Sequence, residues 1–371
     1  HAISRVRPMS TPVAEVVLSN GGNLTESMNF FVDVLDFKLL IISPADKPQV
    51  AVLSGYGVRL RLAPEGGVTT LRLLCADPAA TVASLSVPKT TQNGSEHSVL
   101  APNGVTVVFY PADPPLDVPA LESQFSFSKM VGKESFSPGR AGMLYRDLIP
   151  SRLGGRFIAS HICIPQGGPV PDYVHFHDVR FQLIFCRKGW VRVVYEDQGE
   201  PIVMKAGDCV LQPPKIRHRV LESGDGLEVV EVGCPALHDT FREHTITLPT
   251  SKLDPSRVFG GQRFVYHQAS TATWVDRDGL QMRDTGIGEA SAGVGTVVVY
   301  RRNGETARYD AKHNGELQFF FFLEGSGVVV HDGARHEAGA GDSVAFPPGV
   351  DASIQDMSQD AELLHVAVPV Q

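Results

Sequence analysis

His175, Phe176 and His177 set two imidazoles one residue apart. On a strand, alternate side chains share a face, so both rings would point the same way. Gln182 follows five residues after His177 and Gly189 seven after that, which fits an adjacent strand and the turn ending it. His218 comes after Gly207-Asp208 and Pro213-Pro214, so three imidazoles and one amide oxygen can converge on a single point. Neutral imidazole suits Fe, Ni, Cu, Zn or Mn, and three are sufficient to hold such an ion. An amide oxygen is a weaker ligand than a carboxylate. Gln182 is therefore expected either as a fourth ligand or as a hydrogen-bonding neighbour, with water completing the shell. Because this donor set brings no negative charge, the ion would keep its full 2+ and attract an anionic or chelating oxygen substrate.

The same alternation puts Tyr173 on the face of His175 and His177, as a residue to move a proton or orient substrate, or as an ordinary core tyrosine. Arg180, in the short connection beyond His177, would meet a substrate carboxylate at the barrel mouth or stand as a solvated turn arginine. Asp178 and Glu222 are further candidate bases.

The elements that must carry these residues are duplicated. His177, Gln182 and Gly189 return as His313, Gln318 and Gly325, each 136 residues on (313 − 177). Gly207-Asp208 and Pro213-Pro214 return as Gly341-Asp342 and Pro347-Pro348, 134 residues on (341 − 207). In each half short apolar strands of period two are separated by Gly or Pro, which reads as two antiparallel barrels or sandwiches. The first 112 or so residues differ. A strand at 13–18, a helix from Asn23 through Val32 and strands at 38–42, 50–53 and 58–62 spell βαβββ, and a shorter copy follows to Tyr110. Residues 113–139 have linker composition. The expected division is 1–112, a linker at 113–139, a first barrel at 140–248 and a second at 249–371.

Composition narrows the function. The chain has 371 residues, 43% hydrophobic and 20% charged, an ordinary globular balance that excludes disordered and coiled-coil readings. Its net charge of −8 supplies no basic surplus, so no nucleic-acid partner is expected. No apolar run approaches the roughly 20 residues of a bilayer span, and no charged head precedes an apolar signal core, so no membrane partner and a cytoplasmic location are expected. Cys75, Cys163, Cys186, Cys209 and Cys234 are odd in number and lack a C-x-x-C pair, which argues for buried thiols rather than disulfides or structural zinc.

Residues 140–371 resemble a two-barrel cupin. The signature motifs of that superfamily are Gly-x5-His-x-His-x3/4-Glu-x6-Gly and Gly-x5-Pro-x-Gly-x2-His-x3-Asn. His175, His177 and Gly189 match the first motif, and Gly207, Pro213 and His218 match the second. The departures are Gly168, one residue early, then Gln182 for Glu, Lys215 for Gly and Glu222 for Asn. The resemblance implies one divalent transition metal held by His175, His177, His218 and Gln182, with Fe favoured over Ni, Mn, Cu or Zn. In the second barrel the first and last ligand histidines are replaced by Ala311 and Ala352, so His313 and Gln318 are left without a site and a scaffolding or dimerising role is expected. The run Phe319 to Phe322 would bury both faces of one strand.

The N-terminal segment resembles the glyoxalase/bleomycin-resistance (vicinal oxygen chelate) superfamily through its paired βαβββ pattern, Leu35-Asp36-Phe37 after the helix, and Pro102-Asn103-Gly104 before Val107 to Tyr110. Val108 stands where metal-using members carry Glu, so no metal is expected there, and Arg59, Arg61 and Arg72 would line its sheet or lie exposed on it. The expected fold is mainly β, a βαβββ-repeat domain followed by two jelly-roll barrels. The expected function is that of a mononuclear non-haem iron-type dioxygenase on a small oxygen-chelating or anionic substrate, in a homodimer. The alternatives are a metal-dependent isomerase or lyase acting on a hydroxy-keto compound, and a non-catalytic small-molecule binder.

Overall fold

The computed structural model describes residues 15–43, 49–67, 69–85, 90–132, 135–138, 142–277, 279–304 and 307–370. The chain divides into two compact units, His1–Pro115 and Leu116–Gln371.

In the first unit the sequence places Asn23 ahead of Leu24–Asn29, and its side chain accepts from the Glu26 amide as the helix N-cap. A π-turn, Phe30–Val34, carries this helix on and buries Phe31. The strand Glu15–Ser19 runs parallel to Val58–Ala63, with Val50–Gly55 and then Lys38–Ser43 beyond it. The expected start of the first strand at Val13 lies outside the described residues. A second set repeats the order, with Thr70–Cys75 parallel to Thr106–Pro111 and then Glu96–Leu100 and Thr90–Asn93. Both sets are βαβββ. Arg59 and Arg61 close on Glu15, at 2.8 and 2.5 Å, and the Arg61 hydrogen bond holds the Glu15 carboxyl below its usual range. Arg72 pairs with Glu96 and stacks on Tyr110.

The second unit is two β-sandwiches of like plan. In the first, the sheet built around Ile158–Ile164, Leu227–Cys234 and Phe181–Lys188 faces one built around Trp190–Tyr195, His218–Ser223 and His175–Phe176. In the second, Thr296–Arg302, Glu362–Val368 and Leu317–Glu324 face Ala352–Gln355, Ser326–His331 and Ala334–Gly339.

Strand alternation decides what each sandwich does with its two faces. Phe181, Leu183 and Phe185 point outward and pack in one core with Phe319, Phe321 and Leu323 of the second sandwich. Burying this shared face joins the two barrels, at about 25 cal/mol per Å² of apolar surface. The other faces point inward. In the second barrel they carry Phe320, Phe322 and Phe346, which fill the interior. The expectation that the phenylalanine run buries both faces therefore holds.

Two short strands pair across the expected boundaries. The linker at 113–139 contains the strand Ser126–Ser128, which pairs with Ser343–Ala345 at the edge of a second-barrel sheet. Conversely Val265–His267, assigned to the second barrel, pairs with Cys209–Leu211 of the first. The segment ahead of the first barrel thus adds a three-residue edge strand to a second-barrel sheet, and the segment after residue 248 adds one to a first-barrel sheet. A strand that short shows no period, and its partner lies more than fifty residues away.

Cys186, Cys209 and Cys234 are buried, whereas Cys75 and Cys163 are half-buried, and all five are free thiols. Burial pushes the first two up to about 12. Among the described residues no helix is long and apolar enough to cross a membrane.

Candidate metal centre in the first barrel

His175 lies directly across from His218 in the antiparallel pair of His175–Phe176 with His218–Ser223. His177 follows two residues on, and its carbonyl accepts the Lys215 amide at 2.9 Å. Lys215 occupies the cupin-motif glycine position and keeps the left-handed backbone, at φ 63°. Such a conformation costs a non-glycine residue about 1–2 kcal/mol. An ion pair of Lys215 with Asp178, at 3.0 Å, accompanies it.

The three rings meet. One nitrogen from each of His175, His177 and His218 lies within 4.8 Å of the others. The remaining nitrogen of every ring is turned onto a backbone carbonyl: His175 Nδ1 on Tyr173 at 2.8 Å, His177 Nδ1 on Asp239 at 3.0 Å and His218 Nδ1 on Ile216 at 3.0 Å. A carbonyl only accepts, so each Nδ1 carries the proton and each Nε2 the lone pair. The Asp172 carboxylate, 3.5 Å from His175 Nδ1, favours the same tautomer. Three buried imidazoles locked as Nε2 donors, each oriented through its other nitrogen, form the donor set of a divalent transition ion. The residues present fit the metal.

Gln182 reaches the same cavity, and its partner is one the sequence reading missed. Gln182 Nε2 donates to Glu231 Oε1 at 2.6 Å. Ile184 sits opposite Glu231 and Gln182 opposite Gly233, so Gln182 and Glu231 are diagonal neighbours on the inward face. Glu231 thus sets a carboxylate on the cavity wall beside Gln182, outside the group of donor atoms formed by the three imidazoles. Gln212 donates to the Tyr195 hydroxyl at 3.2 Å, and Tyr195 stacks 5.8 Å from His218 with its phenol pushed up by burial. These residues border a cavity of about 720 Å³, part of it open to solvent. The rest of its wall is apolar, with Ile162, Ile184, Val193, Met204 and Val229 among its residues.

Two expected catalytic residues fall elsewhere. Arg180 does not line this cavity. Its guanidinium is bound to Glu316 of the second barrel, at 2.8 and 3.3 Å, alongside Arg156 at 2.8 Å. It meets a carboxylate, but the protein's own, and it serves the junction between barrels. The Tyr173 ring is not among the residues lining the cavity; it lies under the Arg242 guanidinium at 4.7 Å and edge-on to the His175 ring at 5.8 Å, and the Tyr173 carbonyl orients His175. Asp178 and Glu222 pair with Lys215 and Arg192 and do not line the cavity.

In the second barrel His313 uses both nitrogens structurally, Nε2 on the Phe346 carbonyl at 2.9 Å and Nδ1 accepting from the Gly315 amide at 3.1 Å. Gln318 donates to the Ala311 carbonyl at 3.1 Å. Phe320, Phe322 and Phe346 fall where the first barrel has Ile184, Cys186 and Gln212 (320 − 136, 322 − 136, 346 − 134). That interior is packed rather than hollow.

The cupin-domain family model matches residues 160–232 and 297–366. These are the two segments related by the internal repeat. No curated protein matches the chain. Among solved structures, a salicylate 1,2-dioxygenase from Pseudaminobacter salicylatoxidans aligns with a TM-score of 0.50 and 16% identity, over 68% of this chain and 86% of its own. An oxalate decarboxylase from B. subtilis aligns with a TM-score of 0.50 and 14% identity, over 69% and 80%. A protein described as glyoxylate-induced, from Pseudomonas aeruginosa, does so with a TM-score of 0.50 and 13% identity, over 70% and 94%. At these identities the likeness is one of fold.

Proposed function

We propose that this chain, which carries two cupin domains, is a metal-dependent oxidoreductase of the dioxygenase type, acting on a small oxygen-chelating substrate in its first barrel. The observation that carries the reading is the tautomer lock, three Nδ1–H groups held by the carbonyls of Tyr173, Asp239 and Ile216. His175, His177 and His218 would hold one divalent transition ion, with iron favoured. Such an ion supplies Lewis acidity toward a chelating oxygen and, if redox-active, one-electron chemistry toward O2. The chain's own part is positional. The carbonyls fix the rings, Glu231 fixes the Gln182 amide, Gln212 holds the Tyr195 hydroxyl, and an apolar wall flanks the polar residues.

The dioxygenase choice rests on analogy with the salicylate dioxygenase fold, and a fold hosts many reactions. Metal-assisted isomerisation or lyase chemistry is favoured by one observation, the Glu231 carboxylate on the cavity wall, which is placed as a proton acceptor. The two readings separate on oxygen. With iron-loaded protein and a panel of aromatic and sugar-acid substrates, the dioxygenase reading expects stoichiometric O2 uptake and no turnover under argon. Equal turnover under argon would transfer the assignment to the isomerase or lyase class.

For the N-terminal unit we retain the chelate-fold reading as a proposal, supported by its two βαβββ sets. A homodimer is likewise proposed, with the packed second barrel as its scaffold.

A further inference from the structure

We infer that the first-barrel cavity selects molecules with an apolar body and a single two-oxygen head bearing one negative charge, and that Glu231 sets this charge limit. The inference rests on the proposal that His175, His177 and His218 hold a divalent ion.

The cavity sorts its own polarity. Apart from Tyr145, whose hydroxyl donates to Met143 Sδ at 3.5 Å, the polar side chains named here form one connected patch. The His175 and His218 rings lie 4.3 Å apart, tilted by 58°, Tyr195 stacks on His218, Gln212 bonds Tyr195, the Gln212 amide bonds the Gln182 carbonyl, and Gln182 bonds Glu231. Away from that patch the lining is, but for Tyr145, branched aliphatic and methionine, with Ile162, Ile164, Val193 and Met204 in its wall. A substrate seated here keeps its polar atoms at one end.

Charge sets the second limit. No lysine or arginine is found among the described residues lining the cavity. The nearby Arg180, which would have offered a cation, is committed to Glu316. The positive charge available is then that of the ion alone. Three neutral imidazoles leave it at 2+, and the Glu231 carboxylate reduces the site to a net 1+. A monoanionic chelating head brings the site to neutrality. A dianion leaves a net negative charge among aliphatic side chains, where desolvation opposes it.

A matched series of 2-hydroxy acids tests both limits with one head and three bodies: mandelate (phenyl), lactate (methyl) and tartronate (a second carboxylate). The full-length protein is loaded with Co(II), and dissociation constants are read under argon from the cobalt absorption bands. Mandelate is expected to bind about 100-fold more tightly than lactate, for a ring's worth of buried apolar carbon. Tartronate is expected to bind at least about tenfold more weakly than lactate. Glu231→Gln keeps a hydrogen-bonding group of the same shape and is expected to narrow the tartronate-to-mandelate gap about tenfold.

Tartronate binding as tightly as mandelate, or a gap unchanged in Glu231→Gln, would overturn the inference while leaving the metal site standing. If the protein takes up no cobalt, the metal reading itself fails and this inference with it; if cobalt is bound and none of the three acids perturbs its bands, the inference fails and the metal site stands.

Discussion

Replacing Gln182 by glutamate probes the site where its donor set departs from the cupin motif. The substitution exchanges the amide that donates to Glu231 for a second carboxylate. The new oxygen would stand where Nε2 now lies, 2.6 Å from Glu231 Oε1, on a residue only 2% exposed. Two charges with centres about 4 Å apart repel by about 4 kcal/mol at an effective dielectric of about 20. The lost hydrogen bond to a charged group adds about 1.5–3 kcal/mol. The pair escapes part of this by sharing a proton, so a loss of about 3–5 kcal/mol is expected for metal-free protein near pH 8. For a unit of this size that is a Tm lowered by about 6–20 °C.

The sign with pH follows. A carboxyl whose folded pKa is raised destabilises little below its ordinary value of about 4.3 and increasingly as pH rises above it. A divalent ion should reverse the loss by adding attraction to both carboxylates, so Gln182→Glu is expected to bind metal more tightly than the parent. The assay is thermal unfolding of chelator-treated protein at pH 5 and pH 8, with and without Mn(II), beside a metal titration. The exchange Gln182→Glu/Glu231→Gln restores one amide and one carboxylate and should recover most of the stability. A metal-free Gln182→Glu protein as stable at pH 8 as the parent would refute the contact on which this reasoning stands.

Other consequences are as direct. Arg180→Met should cost about 1–3 kcal/mol in unfolding, because Arg156 still holds Glu316, and should leave KM for any anionic substrate unchanged; a raised KM would restore Arg180 to the site. His313→Ala removes two hydrogen bonds in the packed barrel and is expected to lower stability by about 1–3 kcal/mol with metal content intact, which elemental analysis and unfolding check together. Glu228 is held down to about 2, first by the hydrogen bond from His161 and then by Arg187, and burial lowers the His161 pKa, so its ring acts as a neutral donor. Glu228 therefore contributes stability that is present above about pH 4.5 and lost as pH falls toward 2. Glu228→Gln should flatten that acid limb, and an unchanged limb in pH-dependent unfolding would contradict the assignment.

The triad was legible because its information is local. A His-x-His pair on a strand needs only period two, and His218 needed only the duplicated Gly-Asp and Pro-Pro landmarks to be placed. Glu231 was not read because its partner Gln182 lies 49 residues away across a strand pair whose register no spacing reveals. A signal was nonetheless present. Leu227–Cys234 reads Leu-Glu-Val-Val-Glu-Val-Gly-Cys, and Glu231 is a charge between Val230 and Val232 in an apolar strand. The repeat places His365, again a lone polar residue among Leu and Val, at the same position of the second barrel (231 + 134). Arg180 misled for a related reason. Its partner Glu316 belongs to the other barrel, and the packing of barrel on barrel through Phe181 and Phe319 is not written in either strand alone. The two added edge strands, three residues each, lie below the length at which any period can show.

The central claim is that one ion sits in the first barrel on the imidazoles of His175, His177 and His218. Metal stoichiometry of the chain reconstituted with Co(II) or Fe(II), measured for the parent, for His175→Ala/His218→Ala and for His313→Ala, addresses it in one experiment. The account predicts about one equivalent in the parent and in His313→Ala, and close to none in the double variant, which disposes of two of the three imidazole donors. Two equivalents in the parent, or an undiminished equivalent in His175→Ala/His218→Ala, would place the ion elsewhere and contradict it.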